Sequence, residues 1–310
     1  MSKYGNTILV ALDGSERAMK TVEYLCDFKP FHKKDLVLLN IFSGVPDCYW
    51  DLGRESFSRS TMAQAMGWEH QRRTEMEEFM ARAKSMLVSA GYPSKSVYVR
   101  IQNRKKGVTR DIIEEAEKGY FALLSRRRGA GALSYVVMGS TTSKLVQSLS
   151  SVPLMLAGIE RVNNSICVAV DGSENSRRAV DFTAGVVEGS DCRIVLCSVL
   201  RNFNLFNGKS ALEVTEDSNI SSLSEIIDAA LEDAAQKFKS VGIPVDKIDR
   251  KKIVGVSSRA AAISQAAQDA KCDTVVLGRR GQSNLAKFSM GRVPSKVIHI
   301  ARTMTVWIIS

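Results

Sequence analysis

Two closely matching nine-residue stretches, far apart in the chain, limit what it can fold into. Residues 8–16 read ILVALDGSE and residues 166–174 read ICVAVDGSE, with seven of nine positions identical at an offset of 158. A second correspondence follows in the same order. Met138-Gly139 precedes Thr142-Ser143-Lys144, and Met290-Gly291 precedes Pro294-Ser295-Lys296, at an offset of 152. Two anchors in one order argue for a duplicated domain, because internal self-similarity is the mark of a repeated structural unit. The 310 residues leave room for two domains of ordinary size. The expected domains are residues 1–160 and 161–310. Their boundary is expected near Ala157–Asn164, where Gly158, Asn163 and Asn164 interrupt two apolar runs.

Composition narrows the class. The chain is 45% hydrophobic and 25% charged, which supplies material for packed cores and excludes wholesale disorder. No apolar run approaches the length of about 18 residues that a membrane-spanning helix needs. The N-terminal residues lack the apolar stretch and cleavage site of a secretory signal, so the expected location is the cytoplasm. Lys and Arg exceed Asp and Glu by 43 to 33, and the excess is spread over both halves rather than held in a tail. Cys26, Cys48, Cys167, Cys192, Cys197 and Cys272 form no C-x-x-C pair, and several sit inside apolar runs. They read as small buried hydrophobes in a reducing compartment.

Each half alternates strand and helix. The first half has strands at Thr7–Leu12, Asp35–Phe42, Val97–Ile101, Phe121–Leu124 and Pro153–Ala157. Its helices fall at Glu69–Ser89, Thr109–Lys118 and Thr142–Leu149, with another after Asp13-Gly14-Ser15, and residues 43–67 read as a long loop. Met76, Phe79, Met80, Ala83, Met86 and Leu87 recur at helical spacing and are expected in the core or a domain interface. The second half has strands at Ile166–Val170, Arg193–Val199, Ile248–Val254, Thr274–Leu277 and Thr305–Ile309. Its helices lie near 174–188, 222–241, 257–271 and 293–301. Such alternation predicts an α/β fold: two tandem doubly wound five-stranded domains with parallel sheets.

In an open α/β sheet, ligands bind beyond the carboxyl ends of the strands. Two features of the second half fall there. Asp171-Gly172-Ser173 follows the first strand. Gly278-Arg279-Arg280-Gly281 follows the fourth, and nine residues later comes Gly291-Arg292. Glycines allow close backbone approach, and loop N–H groups with a helix N-terminus can cradle phosphate. Arg279, Arg280 and Arg292 would add charge, and the aspartate could accept hydrogen bonds from a base or ribose.

Asp-Gly-Ser after a first strand, together with G-x2-G-x9-G at 278, 281 and 291, resembles the universal stress protein family, here as two tandem copies over nearly the whole chain. The resemblance implies the adenine-nucleotide alpha hydrolase-like fold with strand order 3-2-1-4-5. It implies ATP or AMP, with or without Mg2+, as ligand, and a stress-response sensor or regulator rather than an enzyme. By resemblance Asp171 would contact adenine, and Val199 would do so through its backbone. Gly278, Gly281, Gly291, Arg292 and Val293 would surround ribose and phosphates. In the first half the corresponding residues are Asp13, Ile41, Gly129, Gly139 and Ser140. Single-domain members often pair through their last strands, so Pro153–Ala157 and Thr305–Ile309 are expected to pair within one chain as an intramolecular pseudo-dimer. A further homodimer and an unknown protein partner remain open.

Each half departs from the motif differently. Arg292 stands where the family usually has Ser or Thr; it either pairs with phosphate or fills the pocket. The first half keeps Gly139-Ser140 but lacks the opening glycine, replaced by Ser125 with one extra residue or by Arg126 in strict spacing. Competing readings stand beside these. Asp13 and Asp171 would only shape helix-capping turns, and Arg126–Arg128 would be a solvated loop. The chain would then be a nucleotide-free interaction module. A weak ATPase or self-phosphorylating protein is a further alternative, although no general base is evident. Metal-ligand spacings, a P-loop and a nucleophile elbow are absent from the sequence. A basic stripe interleaved with aromatics is missing too, so neither nucleic acid nor membrane is expected as a partner.

Overall fold

The computed structural model describes residues 5–44, 59–127, 138–159, 162–201, 218–281 and 290–310. The chain forms two compact units: Met1–Cys26 with His32–Leu145, and Asp27–Phe31 with Val146–Ser310.

In the first unit the apolar runs become β1 (Thr7–Ala11), β2 (Asp35–Phe42), β3 (Val97–Asn103) and β4 (Ala122–Arg126). They pair in parallel in the order β3-β2-β1-β4. From Leu36 to Phe42 every residue of β2 is buried, as a strand covered on both faces requires. Helices α1 (Glu16–Asp27), α2 (Arg59–Ser89) and α3 (Val108–Ala116) alternate with the strands, and α4 (Ser140–Ser148) starts in this unit and has its last turn, from Val146, in the second.

Helix α2 starts ten residues before the expected Glu69. Ala63, Gln64, Ala65 and Met66 are strong helix formers, and extending an existing helix costs far less than starting one, so the helix runs through Gly67. The remainder of the expected loop, residues 45–58, lies outside the described residues. On α2, Met76, Phe79, Met80, Ala83 and Leu87 are buried, in line with the expected core face, and Met86 is half-buried.

The second unit holds β5 (Leu154–Ala157), β6 (Ser165–Ala169), β7 (Arg193–Arg201), β8 (Ile248–Val256), β9 (Thr274–Gly278) and β10 (Thr305–Ile309). Its helices are α5 (Glu174–Val187), α6 (Ser218–Ser240), α7 (Arg259–Asp269) and α8 (Arg292–Ile300). Strands β8-β7-β6-β9-β10 are parallel and follow the 3-2-1-4-5 order. Beyond β10 lies β5, paired antiparallel with Val306 opposite Leu156 and Ile308 opposite Leu154. The expected pairing of the two last strands is therefore present, inside the second unit.

Core packing closes over that pairing. Trp307 of β10 has no exposed surface, and its ring meets Phe28 and Phe31 at 5.6 Å and Phe182 at 6.1 Å between centroids. Among the described residues, Cys26 is half-buried, the other cysteines are buried, and all are free thiols. Cys48 lies outside them. Among the described residues no helix is long and apolar enough to cross a membrane.

Candidate functional site at the strand ends

Asp171 lies two residues beyond β6, in a turn that its own side chain builds. Its Oδ1 accepts the Ser173 N–H at 3.0 Å, and Gly172 between them takes φ +75°, a conformation open to glycine. Ser173 then caps α5, its hydroxyl oxygen accepting the Ser176 N–H at 3.2 Å. The first unit repeats the device: Asp13 Oδ1 accepts from Ser15 N at 3.1 Å, and Ser15 Oγ from Ala18 N at 3.2 Å. The capping role of both aspartates is thus present. One carboxylate oxygen of each accounts for it, and the second oxygen of Asp171 faces Gly281.

Gly278 ends β9, and Gly281 follows in the loop. A Cβ on Gly281 would stand 2.6 Å from Asp171 Oδ2, so the loops after the first and fourth strands of the second unit meet there. A Cβ on Gly278 would lie 2.7 Å from the backbone of Asn175. The missing side chain at 278 therefore serves the packing of β9 against the first turn of α5. Asn175 sits in an ordinary helical stretch, and nothing local in the sequence marks it.

Gly291 N-caps α8, and its N–H donates to Arg279 O at 2.9 Å. No side chain caps this helix. In the first turn, the N–H groups of Arg292 and Val293 lack intrahelical acceptors, and Pro294 has none to offer. Arg292 is exposed, and Val293 is half-buried. Val199 is half-buried near the end of β7, beside a bulge between Val199 and Arg201.

Arg279 overturns its expectation. It was expected to lend charge to a phosphate site, yet it is 3% exposed, and its Nη2 donates to Val146 O at 3.0 Å and Gln147 O at 3.1 Å. These carbonyls belong to the last turn of α4, whose partial negative charge suits a buried guanidinium.

The first unit settles the motif register. Gly139 N donates to Arg127 O at 2.9 Å, as Gly291 N does to Arg279 O. Strict spacing therefore holds, and Arg126 stands where Gly278 stands in the second unit. Arg126 is half-buried. Burial pulls its pKa below the ordinary value; Glu23 and Asp13 nearby oppose the shift and Arg17 adds to it. Thr142 Oγ1 donates to Arg126 O at 2.7 Å. The solvated-loop expectation fails for Arg126 and for Arg127, which is 5% exposed; burial of the β4 end is the reason. Ile41 is buried near the end of β2, and Ser140, the first residue of α4, is exposed. Arg128 and Gly129 lie outside the described residues.

Two α/β units, with Asp-Gly-Ser turns after the first strands and a glycine loop after the fourth strand of the second, define the class. The universal stress protein family model matches residues 5–157 and again 163–309, and the chain belongs to that family as a tandem member.

Among solved structures, a universal stress protein from Archaeoglobus fulgidus is 18% identical, covering 99% of this chain and 98% of its own, with a TM-score of 0.66. A putative universal stress protein from Pseudomonas aeruginosa is 15% identical over 98% of this chain and 92% of its own, with a TM-score of 0.53. These two likenesses concern the fold. A universal stress protein in complex with cAMP is 23% identical over 47% of this chain and 95% of its own, with a TM-score of 0.33. No curated protein matches the chain.

Proposed function

We propose that the second unit binds an adenine nucleotide, ATP or AMP, beyond the ends of β6, β7 and β9, and that the chain acts as a stress-response sensor or regulator. The observation that carries this reading is the approach of Gly281 to Asp171 Oδ2, which brings a carboxylate and a side-chain-free loop to one point at the strand ends. A carboxylate there can accept a hydrogen bond from an adenine amine or a ribose hydroxyl. The uncapped first turn of α8 supplies N–H donors, and Arg292 on its exposed face supplies positive charge for phosphate. Val199 would meet the base through its backbone. Among the described residues no cluster of three or more acidic, His or Cys side chains could hold a metal ion, so any Mg2+ would be carried chiefly by the phosphates.

The first unit is read as nucleotide-free. Arg126 replaces the opening glycine, and its half-buried guanidinium lies within electrostatic reach of Asp13. This supports an interaction role for that half.

Calorimetry with ATP and AMP on the wild type and on Gly281→Asp tests both statements. The expected result is one nucleotide per chain in the wild type and none in the variant. Equal heats in the two proteins, or no heat in either, would remove the nucleotide reading, and two sites per chain would remove the assignment to one half.

A further inference from the structure

We propose that Arg279 is a positioning residue for the glycine loop, tying its entry and exit to the last turn of α4 and so holding Gly281 and the α8 N-terminus where a nucleotide can engage them. The proposal rests on the nucleotide reading of the second unit. Three sets of contacts meet at this residue. Its N–H donates to Ile309 O at 2.6 Å, joining the loop entry to the end of β10. Its carbonyl accepts the Gly291 N–H at 2.9 Å, joining the entry to the loop exit at the α8 cap. Its guanidinium donates twice through Nη2 to Val146 O and Gln147 O. One residue thus connects β10, the cap of α8 and the end of α4.

The guanidinium is an expensive choice for packing alone. It is buried, and among the described residues no carboxylate pairs with it. Its Nε is buried with no hydrogen-bond partner, and burial depresses its pKa. An apolar side chain would fill the space without that desolvation cost. What an apolar side chain lacks is direction: two donors aimed at helix-terminal carbonyls set where the backbone of residue 279 lies. The position of Gly291 follows from it, because a Cβ on Gly291 would already stand 3.3 Å from Arg279 O.

The first repeat strengthens the argument. Its loop has lost the opening glycine, which Arg126 replaces, and it keeps Ser140 where the second has Arg292. Yet Arg127, the counterpart of Arg279, is likewise buried, and its carbonyl likewise accepts from the glycine that closes the loop. The two copies differ at both ends of the glycine motif while sharing a buried arginine whose carbonyl accepts the N–H of the closing glycine.

The test compares wild type, Arg279→Met and Arg279→Lys in the full chain, reading the ATP dissociation constant by calorimetry and residue-resolved amide hydrogen exchange. The folded fraction is checked by thermal unfolding. The expected result for Arg279→Met is at least tenfold weaker ATP binding and at least tenfold faster exchange at the Gly291 amide, with the Ile194–Cys197 amides of β7 as protected as in the wild type. Arg279→Lys, which keeps the charge and a donor, should recover part of both. A purely structural role would lower the unfolding temperature but leave ATP affinity of the folded fraction unchanged, and that outcome overturns the proposal. If the wild type binds no ATP, the nucleotide reading falls by itself, and exchange at Gly291 then decides whether Arg279 sets the loop. Unchanged Gly291 exchange in Arg279→Met rejects the proposal; where only Arg279→Lys folds, exchange and ATP affinity both equal to the wild type reject it.

Discussion

Gly281 stands against Asp171 so closely that a Cβ added to it would lie 2.6 Å from Asp171 Oδ2. The clash is with the tip of one short side chain, so even the smallest added group must displace the carboxylate or the loop. Gly281→Ala is expected to weaken ATP binding at least tenfold, equivalent to about 1.4 kcal/mol, with little change in unfolding temperature. Isothermal calorimetry beside thermal unfolding reads both. A variant with wild-type affinity would show that the Asp171 contact is irrelevant to the ligand.

Gly158, just past β5, is held by a harder constraint. A Cβ there would lie 2.1 Å from Thr303 O and 2.5 Å from Met304 C, both backbone atoms that no rotamer change can move. The Gly158 N–H also donates to Thr305 Oγ1 at 3.0 Å. Gly158→Ala is expected to cost about 2–3 kcal/mol through forced separation of β5 from the chain entering β10. Urea denaturation measures this, and a loss under about 0.5 kcal/mol, the range of ordinary surface substitutions, would contradict it.

Trp307 offers a two-sided test of core packing. Its ring is fully buried among Phe28, Phe31 and Phe182, yet its indole Nε1 has no hydrogen-bond partner. Trp307→Ala should cost about 3–5 kcal/mol. Trp307→Phe loses volume but also removes an unsatisfied polar group, so its cost should stay near 1.5 kcal/mol or below. If the two variants are equally destabilised in chemical denaturation, ring packing at Trp307 is not what stabilises this core.

Glu115 sets an acid sensitivity in the first unit. It is buried, and its carboxylate accepts from Lys118 Nζ and Tyr120 Oη at 2.6 Å each and from Arg100 Nη1. Burial alone would raise its pKa, but hydrogen bonds from Lys118 and Tyr120 and the charges of Arg100 and Lys118 outweigh burial and hold it below the ordinary value of 4.5. A carboxyl depressed by folding stabilises the fold above its unfolded value and loses that contribution as pH falls through the folded value. Glu115→Gln should therefore be destabilised by about 2 kcal/mol near neutral pH. The gap to wild type should narrow progressively below pH 4.5. Unfolding temperatures of both proteins across that range are the measurement; a gap that widens in acid would refute the assignment.

Much of the fold was legible because its signals are local. Apolar runs such as Asp35–Phe42 mark strands buried on both faces, and the Asp-Gly-Ser turns cap α1 and α5 as their side-chain chemistry dictates. The early start of α2 was missed because Gly67 and the serines before it resemble a loop, while helix propagation through Ala63–Met66 overrides them. The candidate site was legible at Asp171, Gly281 and Gly291. It was not legible at Gly278, whose absent side chain makes room for the Asn175 backbone, nor at Arg126, where only the backbone bracket from Gly139 to Arg127 chose between two registers.

The amino-acid sequence by itself determined the duplication, the alternation of strands and helices, and the glycines and aspartates at the strand ends, since these follow from periodicity and near-neighbour chemistry. Tertiary structure alone decided that Arg279 turns to carbonyls 133 and 132 residues away, and that Phe28 and Phe31 pack on Trp307 within the second unit. The direction of a side chain at a strand end is chosen by the distant groups that can take its charge or cover its apolar surface, and that choice is written in no local window of residues.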